Sequence, residues 1–535
     1  MNRIRYGLTH LYLLLLLLAA APDRGYAQQA VLRGFVTDAA TEQPLQGATI
    51  ALRVDGELVV GTATDGDGYF VLNRVRAGRY ALVVSFVGFA SFQEVLDLQE
   101  GEIRDFRISL LVRAAAIDEL VVEAEAEAGI TTVAAGLETV VPAAIQRVPV
   151  PGVSGDLAGY LQTVPGVTVQ GDRGGQFFVR GGAADQNLAL LDGLPVYMPF
   201  HILSFYSAFP EELVDRAAFY TGGFGAQYGG RTSSVLDVSA RNGNKQNLAG
   251  SVAFAPFLSS ATFEGPLIEG KVSAIVSIRQ SFVEELLPDL FGQRMPYRFG
   301  DRFGKIHALL GGSHELSLTV LDTDDRGDIA GTQKTVFGEV EAAAIDDSSE
   351  VAWSNRVYGG TYTYRSNSLP IKARLTAGRS EMANEFGPES APERMSSIKS
   401  SEATLRLSWL LNRGDISVGT TFRKTDLSYT LDDLFTEFTT SSEEMNEWNS
   451  YIESTLDLAG DKLSINPGVH MYALPDRSEQ YFEPPMRASF WPTGRQGRHQ
   501  LNASWGIYHQ ILSGLSDERD LGNLFTAWIT TPESQ

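Results

Sequence analysis

Residues 176–197 have the sequence QFFVRGGAADQNLALLDGLPVY. It holds a glycine pair directly after an arginine, two aspartates, and apolar residues with almost no helical period. A loop that binds a phosphate needs a glycine-rich turn that opens a helix, but this stretch continues into a second strand that ends in an Asp-Gly turn. We therefore expect strand–turn–strand structure, with the glycines serving tight turns and close backbone approach.

The N-terminal residues predict export. Arg3 and Arg5 come before an apolar run at residues 11–21, and the small residues Gly25 and Ala27 follow it. A basic head, a short apolar middle and a small-residue site are typical of a secretory signal peptide, and the run is shorter than the roughly 20 residues of a membrane helix. We expect residues 1–27 to be removed after Ala27. No cysteine follows the run, which excludes a lipoprotein anchor and disulfide bonds.

Composition excludes several classes of function. The formal net charge is −22, whereas a nucleic-acid binder needs a basic surface. The seven histidines form no HExxH motif, and the chain has no GxSxG elbow and no cysteine, so we predict no catalytic residue, no metal site and no cofactor. His201 and His470 stand alone in the sequence, and we expect each to be a plug or lumen residue rather than a ligand.

Residues 28–112 predict a small β-sandwich. Alternating segments such as YFVLNRV and YALVVSFVG are separated by turn signals about every ten residues. The stretch TDGDGYF, residues 64–70, invites comparison with a calcium loop, which needs a ligand at its fifth position and glycine at its sixth. Counted from Asp65 these positions are Tyr69 and Phe70, so we interpret the stretch as a hairpin turn.

Residues 113–139 predict a strand-forming hexamer followed by a flexible tether. The hexamer is IDELVV, and the tether EAEAEAG lacks an apolar face. An extended hexamer on such a tether suits pairing with the sheet edge of another protein, although an ordinary linker is the alternative. We expect the sandwich to be attached flexibly. The hexamer consists of Ile117, Asp118, Glu119, Leu120, Val121 and Val122.

Residues 140–242 mix helix and strand signals and predict an α+β domain. SGDLAGYLQTVPGV offers Ser154 as an N-cap and stops at a Pro-Gly pair, and Pro210 with two following glutamates marks a second helix start. Arg180, Asp192 and Arg231 are charges flanked by apolar neighbours. Inside a packed domain such charges are expected to be paired.

Residues 243–535 alternate with period two, as β-strands do. KVSAIVSI, ELSLTV, IKARLTA and ATLRLSW each have one apolar and one polar face, and the connections between such segments are short and long in turn. Short turns at one end with long polar loops at the other are typical of a transmembrane β-barrel of the outer membrane. Aromatic residues near strand ends, where an interfacial girdle belongs, are Trp353, Tyr358, Tyr362, Trp409, Tyr451, Tyr472, Trp491 and Trp505.

The strand count predicts an incomplete barrel. About thirteen such segments precede Gln535, with no terminal aromatic strand after them. An open sheet edge in lipid would leave backbone groups unpaired at several kcal/mol each. We therefore expect this sequence to be a piece of a longer barrel.

Residues 177–197, followed by HILSFYSAFPEELVDRAAFYTGGFGAQYGGRTSSVLDVSARNG, resemble the plug domain of TonB-dependent outer-membrane receptors. GFVTDAATEQPLQGATI, with TDGDGYF and AGRYALVVSFVGF, is similar to the carboxypeptidase-regulatory-like domain that precedes the plug in Bacteroidota-type receptors. IDELVV occupies the position of the TonB box in that class. The plug-motif positions are Arg180, Gly181, Gly182, Asp192, Gly193, Tyr228, Gly229, Gly230 and Arg231.

The resemblance implies a mostly β fold with an N-terminal β-sandwich, an α+β plug and a partial antiparallel transmembrane β-barrel around the plug. It implies active uptake of a nutrient across the outer membrane. The plug would block the lumen until a TonB-type inner-membrane energiser in the periplasm pulls on residues 117–122. The implied partners are that energiser, outer-membrane lipid and an unidentified nutrient ligand, with the N-terminal domain in the periplasm. A surface adhesin, a signalling receptor on a barrel scaffold and a non-transporting barrel fragment are the alternatives.

Overall fold

The computed structural model describes residues 30–112, 136–150, 155–169, 177–201, 206–255, 258–281, 297–329, 349–366, 369–387, 394–411, 414–431, 440–459, 462–494, 499–515 and 526–530. The predicted signal peptide, the hexamer at residues 117–122 and the N-cap candidate Ser154 lie outside the described residues.

The N-terminal domain is a β-sandwich, as predicted. One sheet has the order β4-β1-β7 and the other β3-β2-β5-β6. Alternate residues of both sheets face each other, and Leu32, Ile50, Leu72, Leu82 and Leu96 are fully buried between them. The strands are β1 (Ala30–Asp38), β2 (Thr49–Val54), β3 (Glu57–Ala63), β4 (Tyr69–Val75), β5 (Gly78–Ser85), β6 (Phe92–Leu98) and β7 (Ile103–Leu110).

The turn at residues 65–68 is not the predicted hairpin turn. It connects β3 to β4, but β4 pairs with β1 in the other sheet, so the chain crosses the sandwich here. The Gly68 N–H donates to the Asp65 carbonyl oxygen over 2.9 Å. The Asp65 carboxylate accepts the N–H groups of Asp67 and Tyr69 over 2.9 and 3.0 Å. A local Asx turn thus forms whichever strand comes next, which is why the sequence pattern alone misassigned it.

The middle domain is built on a five-stranded sheet with the order β12-β11-β14-β13-β8, and β9 pairs separately with β10. Two short helices cover the sheet, and their apolar residues Ile145, Leu157 and Leu161 are buried. The elements are β8 (Leu137–Val140), α1 (Pro142–Ile145), α2 (Leu157–Leu161), β9 (Val167–Val169), β10 (Phe177–Val179), β11 (Asn187–Leu191), β12 (Leu194–Pro195), β13 (Val214–Tyr220) and β14 (Ser234–Ala240).

Both predicted helix starts in this domain need correction. Helix α2 is capped by Asp156, whose carboxylate accepts the Ala158 N–H over 2.8 Å. After Pro210 only a single 3₁₀ turn forms, at Glu211–Leu213, and the chain then enters β13. Strand β13 lies between β14 and β8 and pairs with both, so sheet pairing overrides the local helix signal.

The C-terminal region forms one antiparallel sheet of fourteen strands, in which neighbours along the chain pair, except for the strands at Glu479–Glu483 and Met486–Phe490. Strands β26 and β27 both pair with β25. Pro484 and Pro485, which cannot donate ladder hydrogen bonds, separate them. The two strands are therefore halves of one pass across the sheet. The described sheet thus has thirteen passes, and the sequence predicted about thirteen.

The strands of this sheet, called the wall below, are β15 (Ala249–Phe254), β16 (Leu258–Ile268), β17 (Val272–Ser281), β18 (Tyr297–Leu309), β19 (His314–Ile329), β20 (Ser349–Arg365), β21 (Ile371–Gly387), β22 (Arg394–Leu411), β23 (Gly414–Leu431), β24 (Thr440–Leu458), β25 (Leu463–Leu474), β26 (Glu479–Glu483), β27 (Met486–Phe490) and β28 (Leu501–Trp505). Among the described residues, β15 and β28 do not pair with each other.

The two faces of the wall have opposite character. In β17, Val276 and Ile278 expose 51% and 60% of their surface, whereas Ser277 and Arg279 are buried. Apolar side chains therefore point outward and polar ones inward, which confirms the predicted alternation. The connections are also short at one end, such as residues 269–271, and long at the other, such as 330–348. We call the end with the short connections the mouth.

The aromatic residues divide between the two faces, which corrects part of the predicted girdle. Tyr358, Tyr362 and Trp505 are exposed on the outer face, but Trp353, Tyr451, Tyr472 and Trp491 are buried. Position near a strand end does not distinguish the faces, because the parity of each position along its strand decides which way it points.

The last described strands, β29 (Leu512–Leu515) and β30 (Ala527–Thr530), pair only with each other in the described part of the chain. Their hairpin packs inside the curve of the wall. The ring of Trp528 lies 5.8 Å from that of Tyr197, and its backbone N–H donates to Ser396 Oγ over 3.2 Å. Within the described residues, no helix has the length and apolarity needed to cross a membrane.

Candidate functional site

The opening sequence stretch forms the predicted strand–turn–strand unit. Arg180 and Gly181 turn the chain with φ values of 49° and 81°, and the Gly182 N–H closes the turn on the Val179 carbonyl oxygen over 2.9 Å. A Cβ atom on Gly182 would lie 2.4 Å from Ser233 Oγ. Glycine is therefore required here by close approach, and the loop opens no phosphate-binding helix.

The Asp-Gly turn fixes one face of the middle domain to the wall. Asp192 and Gly193 join β11 to β12 with φ values of 50° and 88°, as a type I′ turn requires. The Asp192 carboxylate accepts the Ala240 N–H over 3.0 Å. It also pairs with Lys305 Nζ of β18 over 2.9 Å and accepts the Thr319 hydroxyl of β19 over 2.8 Å. One turn residue thus links the sheet of the domain to two wall strands.

The second glycine motif meets the opposite side of the wall. Tyr228 donates its hydroxyl to Asp237 over 2.8 Å. A Cβ atom on Gly229 would lie 2.4 Å from His470 Cε1 of β25. His470 Nδ1 donates to the Ala226 carbonyl oxygen over 2.8 Å, so this wall residue holds the middle domain by a hydrogen bond.

Two of the three predicted charge pairings are absent among the described residues. Arg231 is buried, donates to the Gly230 carbonyl oxygen over 2.8 Å and lies 5.6 Å from the ring centre of Trp528, but forms no ion pair with a described carboxylate. Arg180 is exposed and likewise forms no ion pair with any residue that the structure describes. Only Asp192 is paired as predicted. The plug-motif residues divide into two sets: Asp192, Gly193, Tyr228 and Gly229 line one cavity, and the other five do not.

A buried ionic group, which the sequence did not reveal, joins the middle domain to the wall. We call Asp156, His201, Arg279, Asp301 and Asp325 the plug–wall cluster, because the first two belong to the middle domain and the others to β17, β18 and β19. Each side chain is at most 3% exposed. The ring nitrogens of His201 lie 3.0 Å from Asp301 and 2.8 Å from Asp325. Arg279 lies 2.7 Å from Asp156 and 2.6 Å from Asp301.

The charges of this cluster depend on one another. Burial alone would lower the pKa of His201, but the carboxylates of Asp301 and Asp325 outweigh it and raise the pKa to about 10. Burial raises the pKa of Asp156, and the Arg279 guanidinium opposes this effect. His201 is therefore an imidazolium at neutral pH, with both nitrogens donating. No sequence motif marks these residues, because they come from five separate segments of the chain.

The middle domain also borders a cavity of about 730 Å³. Residues 64–67 of the N-terminal domain, β11, β14 and wall strands β18–β25 line this cavity. Its charged lining includes Asp237, Arg406, Asp415, Arg423 and Glu453. Among the described residues, no group of three or more potential ligands could hold a metal ion.

Comparison with family models identifies two of the domains. Residues 31–111 match the carboxypeptidase regulatory-like domain, and residues 134–235 match the TonB-dependent receptor plug domain. Both matches support a TonB-dependent receptor. The middle domain is accordingly called the plug below. No curated protein matches the sequence significantly.

Solved structures share the fold at low sequence identity. The siderophore receptor PirA from Acinetobacter baumannii gives a TM-score of 0.52 at 15% identity, covering 67% of this chain and 59% of that one. A variant of the ferric enterobactin receptor PfeA from Pseudomonas aeruginosa gives 0.53 at 16%, covering 74% and 64%. The FrpB iron transporter from Neisseria meningitidis gives 0.51 at 14%, covering 72% and 66%. The chain spans 59% to 66% of the length of these three proteins.

Proposed function

We propose that the chain takes up a nutrient across the outer membrane, with the plug closing the lumen of the wall until an energiser acts on it. The observation that carries the proposal is the way the plug is seated. Buried polar side chains join it to the wall, through the plug–wall cluster and the Asp192–Lys305 pair. Such contacts can be broken and remade without exposing apolar surface. No covalent chemistry is part of this function.

The proposed orientation follows from the outer face and the connections. The outward apolar side chains, such as Val276 and Ile278, suit contact with outer-membrane lipid. Short turns of such barrels lie on the periplasmic side, so the mouth faces the periplasm. The N-terminal domain contacts the mouth, since Arg33 Nη1 donates to the Ser366 carbonyl oxygen over 2.8 Å. This contact supports a periplasmic N-terminal domain.

Residues 117–122 are the proposed coupling segment for a TonB-type energiser. They lie shortly before Gly136, where the described plug begins. The first plug strand, β8, is an edge strand that pairs with β13 alone in the described sheet. The hydrogen bonds of an edge strand can break one after another. A force on residues 117–122 would therefore act on the edge of the plug sheet that separates most easily.

The names of the similar solved proteins suggest which nutrients to test first. These names include a siderophore receptor and a ferric enterobactin receptor, so ferric siderophores are the first probes. The open polar cavity beside the plug supports a hydrophilic cargo. An adhesin would need none of these features, and its binding would not depend on energy.

The test combines one backbone variant with a matched control. Val121→Pro removes a backbone donor and fixes φ, which a strand paired with a partner cannot accept, whereas Val121→Ala keeps the backbone. Cells producing each variant in the full-length receptor are supplied with a panel of radiolabelled ferric siderophores, with and without a functional energiser. We expect energised uptake by the original chain and Val121→Ala, and none by Val121→Pro, at equal outer-membrane levels. Uptake by Val121→Pro would remove residues 117–122 from the proposal, and ligand binding without any energised uptake would favour the adhesin.

A further inference from the structure

The N-terminal domain is docked on the mouth, although the sequence predicted a flexibly attached domain. Three hydrogen bonds join its polar side chains to backbone oxygens of the wall and of the segment that enters it. Arg33 donates to Ser366 over 2.8 Å, Asn73 donates to Leu410 over 3.0 Å, and Gln43 donates to Gly243 over 3.0 Å. These contacts come from β1, β4 and the loop between β1 and β2, so one side of the sandwich faces the mouth.

The centre of this contact is the turn at residues 65–68, called the docking turn below. Asp67 enters a group of three cations from two wall strands, called the mouth cations. Its carboxylate lies 2.9 Å from Arg365, 2.6 Å from Arg374 and 3.3 Å from Lys372. Lys372 also pairs with Asp65. The Asp-Gly-Asp-Gly pattern, which has no calcium-loop spacing, thus places two carboxylates against three cations.

The docking turn also contacts the plug. Arg216 of β13 donates to the Gly66 carbonyl oxygen over 2.5 Å. A Cβ atom on Gly66 would lie 2.1 Å from Arg216 Nη2, so the turn approaches the plug as closely as glycine allows. The Arg365 guanidinium lies 4.8 Å from the ring centre of Phe35 and 5.3 Å from that of Tyr69. The same arginine therefore makes both ionic and cation–π contacts with the sandwich.

The docking encloses space at the mouth. A cavity of about 1500 Å³ lies between the sandwich, the plug and the ends of wall strands. Its lining includes Val59 of the sandwich, Leu137 of the plug and Leu411 of the wall. Ser408 and Asp415 line both this cavity and the one beside the plug. A solute that had passed the plug would reach the sandwich before it reached the periplasm.

We propose that the N-terminal domain is a second closure of the lumen, in series with the plug, held shut by Asp67 against the mouth cations. The closure itself is independent of transport, and only its role as an exit gate rests on the proposed function. Burial would raise the pKa of Asp67, but Arg374, Lys372 and Arg365 together hold it well below its ordinary value, so the carboxylate is charged at neutral pH. The side chain of Asp67 is 21% exposed. When the N-terminal domain moves off the mouth, Asp67 and the mouth cations would all be in contact with water, so no charge would be left buried without a partner.

The test measures access to the lumen without any nutrient or energiser. The chain has no cysteine, so Ser408→Cys provides a single thiol at a position that is only 7% exposed. The full-length receptor, folded in detergent, is treated with N-ethylmaleimide or with a maleimide on a polyethylene glycol chain. Asp67→Arg places a fourth positive charge among the mouth cations, and Arg374→Gln weakens the same contact from the wall side. Asp55→Asn, an exposed turn residue of the sandwich with φ of 53°, is the matched control.

We expect the polyethylene glycol reagent to modify Ser408→Cys about tenfold or more faster when Asp67→Arg is present, because the rate follows the open population. Arg374→Gln should act in the same direction, and Asp55→Asn should leave the rate unchanged. N-ethylmaleimide should react at similar rates in all four proteins. Equal rates with the bulky reagent for Ser408→Cys alone and for Ser408→Cys combined with Asp67→Arg or with Arg374→Gln would overturn the closure. Because no uptake is measured, a failed uptake assay with a positive labelling result would count against the proposed function alone.

Discussion

Replacing His201 by glutamine tests the plug–wall cluster directly. The change removes the cation that lies 3.0 Å from Asp301 and 2.8 Å from Asp325. Arg279 remains, but it already contacts Asp156 and Asp301. The cluster would then hold three carboxylates and one cation in a site where each side chain is at most 3% exposed.

The magnitude follows from the burial of the cluster. Removing one partner of a buried ion pair costs about 3–5 kcal/mol, because the remaining charge is stranded away from water. At about 1.4 kcal/mol for each factor of ten, this corresponds to a loss of roughly 10²- to 10⁴-fold in the equilibrium that keeps the plug seated. The side-chain amide of glutamine can still donate to one carboxylate, which favours the lower end of this range.

Amide hydrogen exchange in the plug strands β11, β13 and β14 measures the effect. We expect their protection in the His201→Gln protein to fall by the stated factor, while protection in the sandwich stays unchanged. His499→Gln changes an exposed histidine and serves as the control. A fall of less than about tenfold in the plug strands would refute the view that this cluster seats the plug.

Three further predictions concern the same seating. Because the pKa of His201 is raised to about 10, the stability that its charge contributes is fully present below pH 6.5 and is lost as the pH rises through about 10. Hydrogen-exchange protection of the plug strands should therefore fall near pH 10 in the original chain, and should fall less in His201→Gln. Asp192→Asn should lower the urea midpoint of plug proteolysis by the equivalent of about 1–3 kcal/mol, because the ion pair with Lys305 is lost. Asp192→Ala should lower it by about 1 kcal/mol more, because residue 192 has a φ of 50°, which alanine adopts less readily than asparagine. Equal midpoints for both variants would contradict this explanation of the turn. Gly229→Ala should destabilise the plug by about 1–3 kcal/mol, because the new Cβ atom would meet the His470 ring. His470→Ala in the same chain should restore part of that loss. If the free-energy changes of the two substitutions simply add, this contact is excluded as the cause.

The sequence predicted those features that repeat or that have a local cause. The period-two alternation of the wall was sufficient to assign its faces, since parity alone decides whether Val276 points outward. The Asp192–Gly193 turn was also predictable, because few residue pairs accept two positive φ values. The helix expected after Pro210 was wrong because β13 is stabilised by pairing with β14 and β8, which are distant in the sequence.

The candidate site was less predictable, since its residues have no local signature. His201 and Asp325 are separated by 124 positions, and neither lies in a recognisable motif. The docking turn illustrates a different difficulty. Its internal hydrogen bonds are those of an ordinary Asx turn, so nothing in residues 64–70 indicates that Asp67 meets three cations more than 290 positions away.

The inward-packed hairpin of β29 and β30 has a consequence for how the chain reaches its native state. Asp185 of the plug accepts hydrogen bonds from Gln510, Ser513 and the Gly514 backbone, across separations of 325 to 329 positions. Trp528 packs on Tyr197 from a similar distance along the chain. Contacts of such high sequence separation form late and slow folding, because loop closure precedes any gain from them. The plug therefore cannot complete its packing as it emerges during export, and it must stay soluble and unaggregated until residue 530 has followed it.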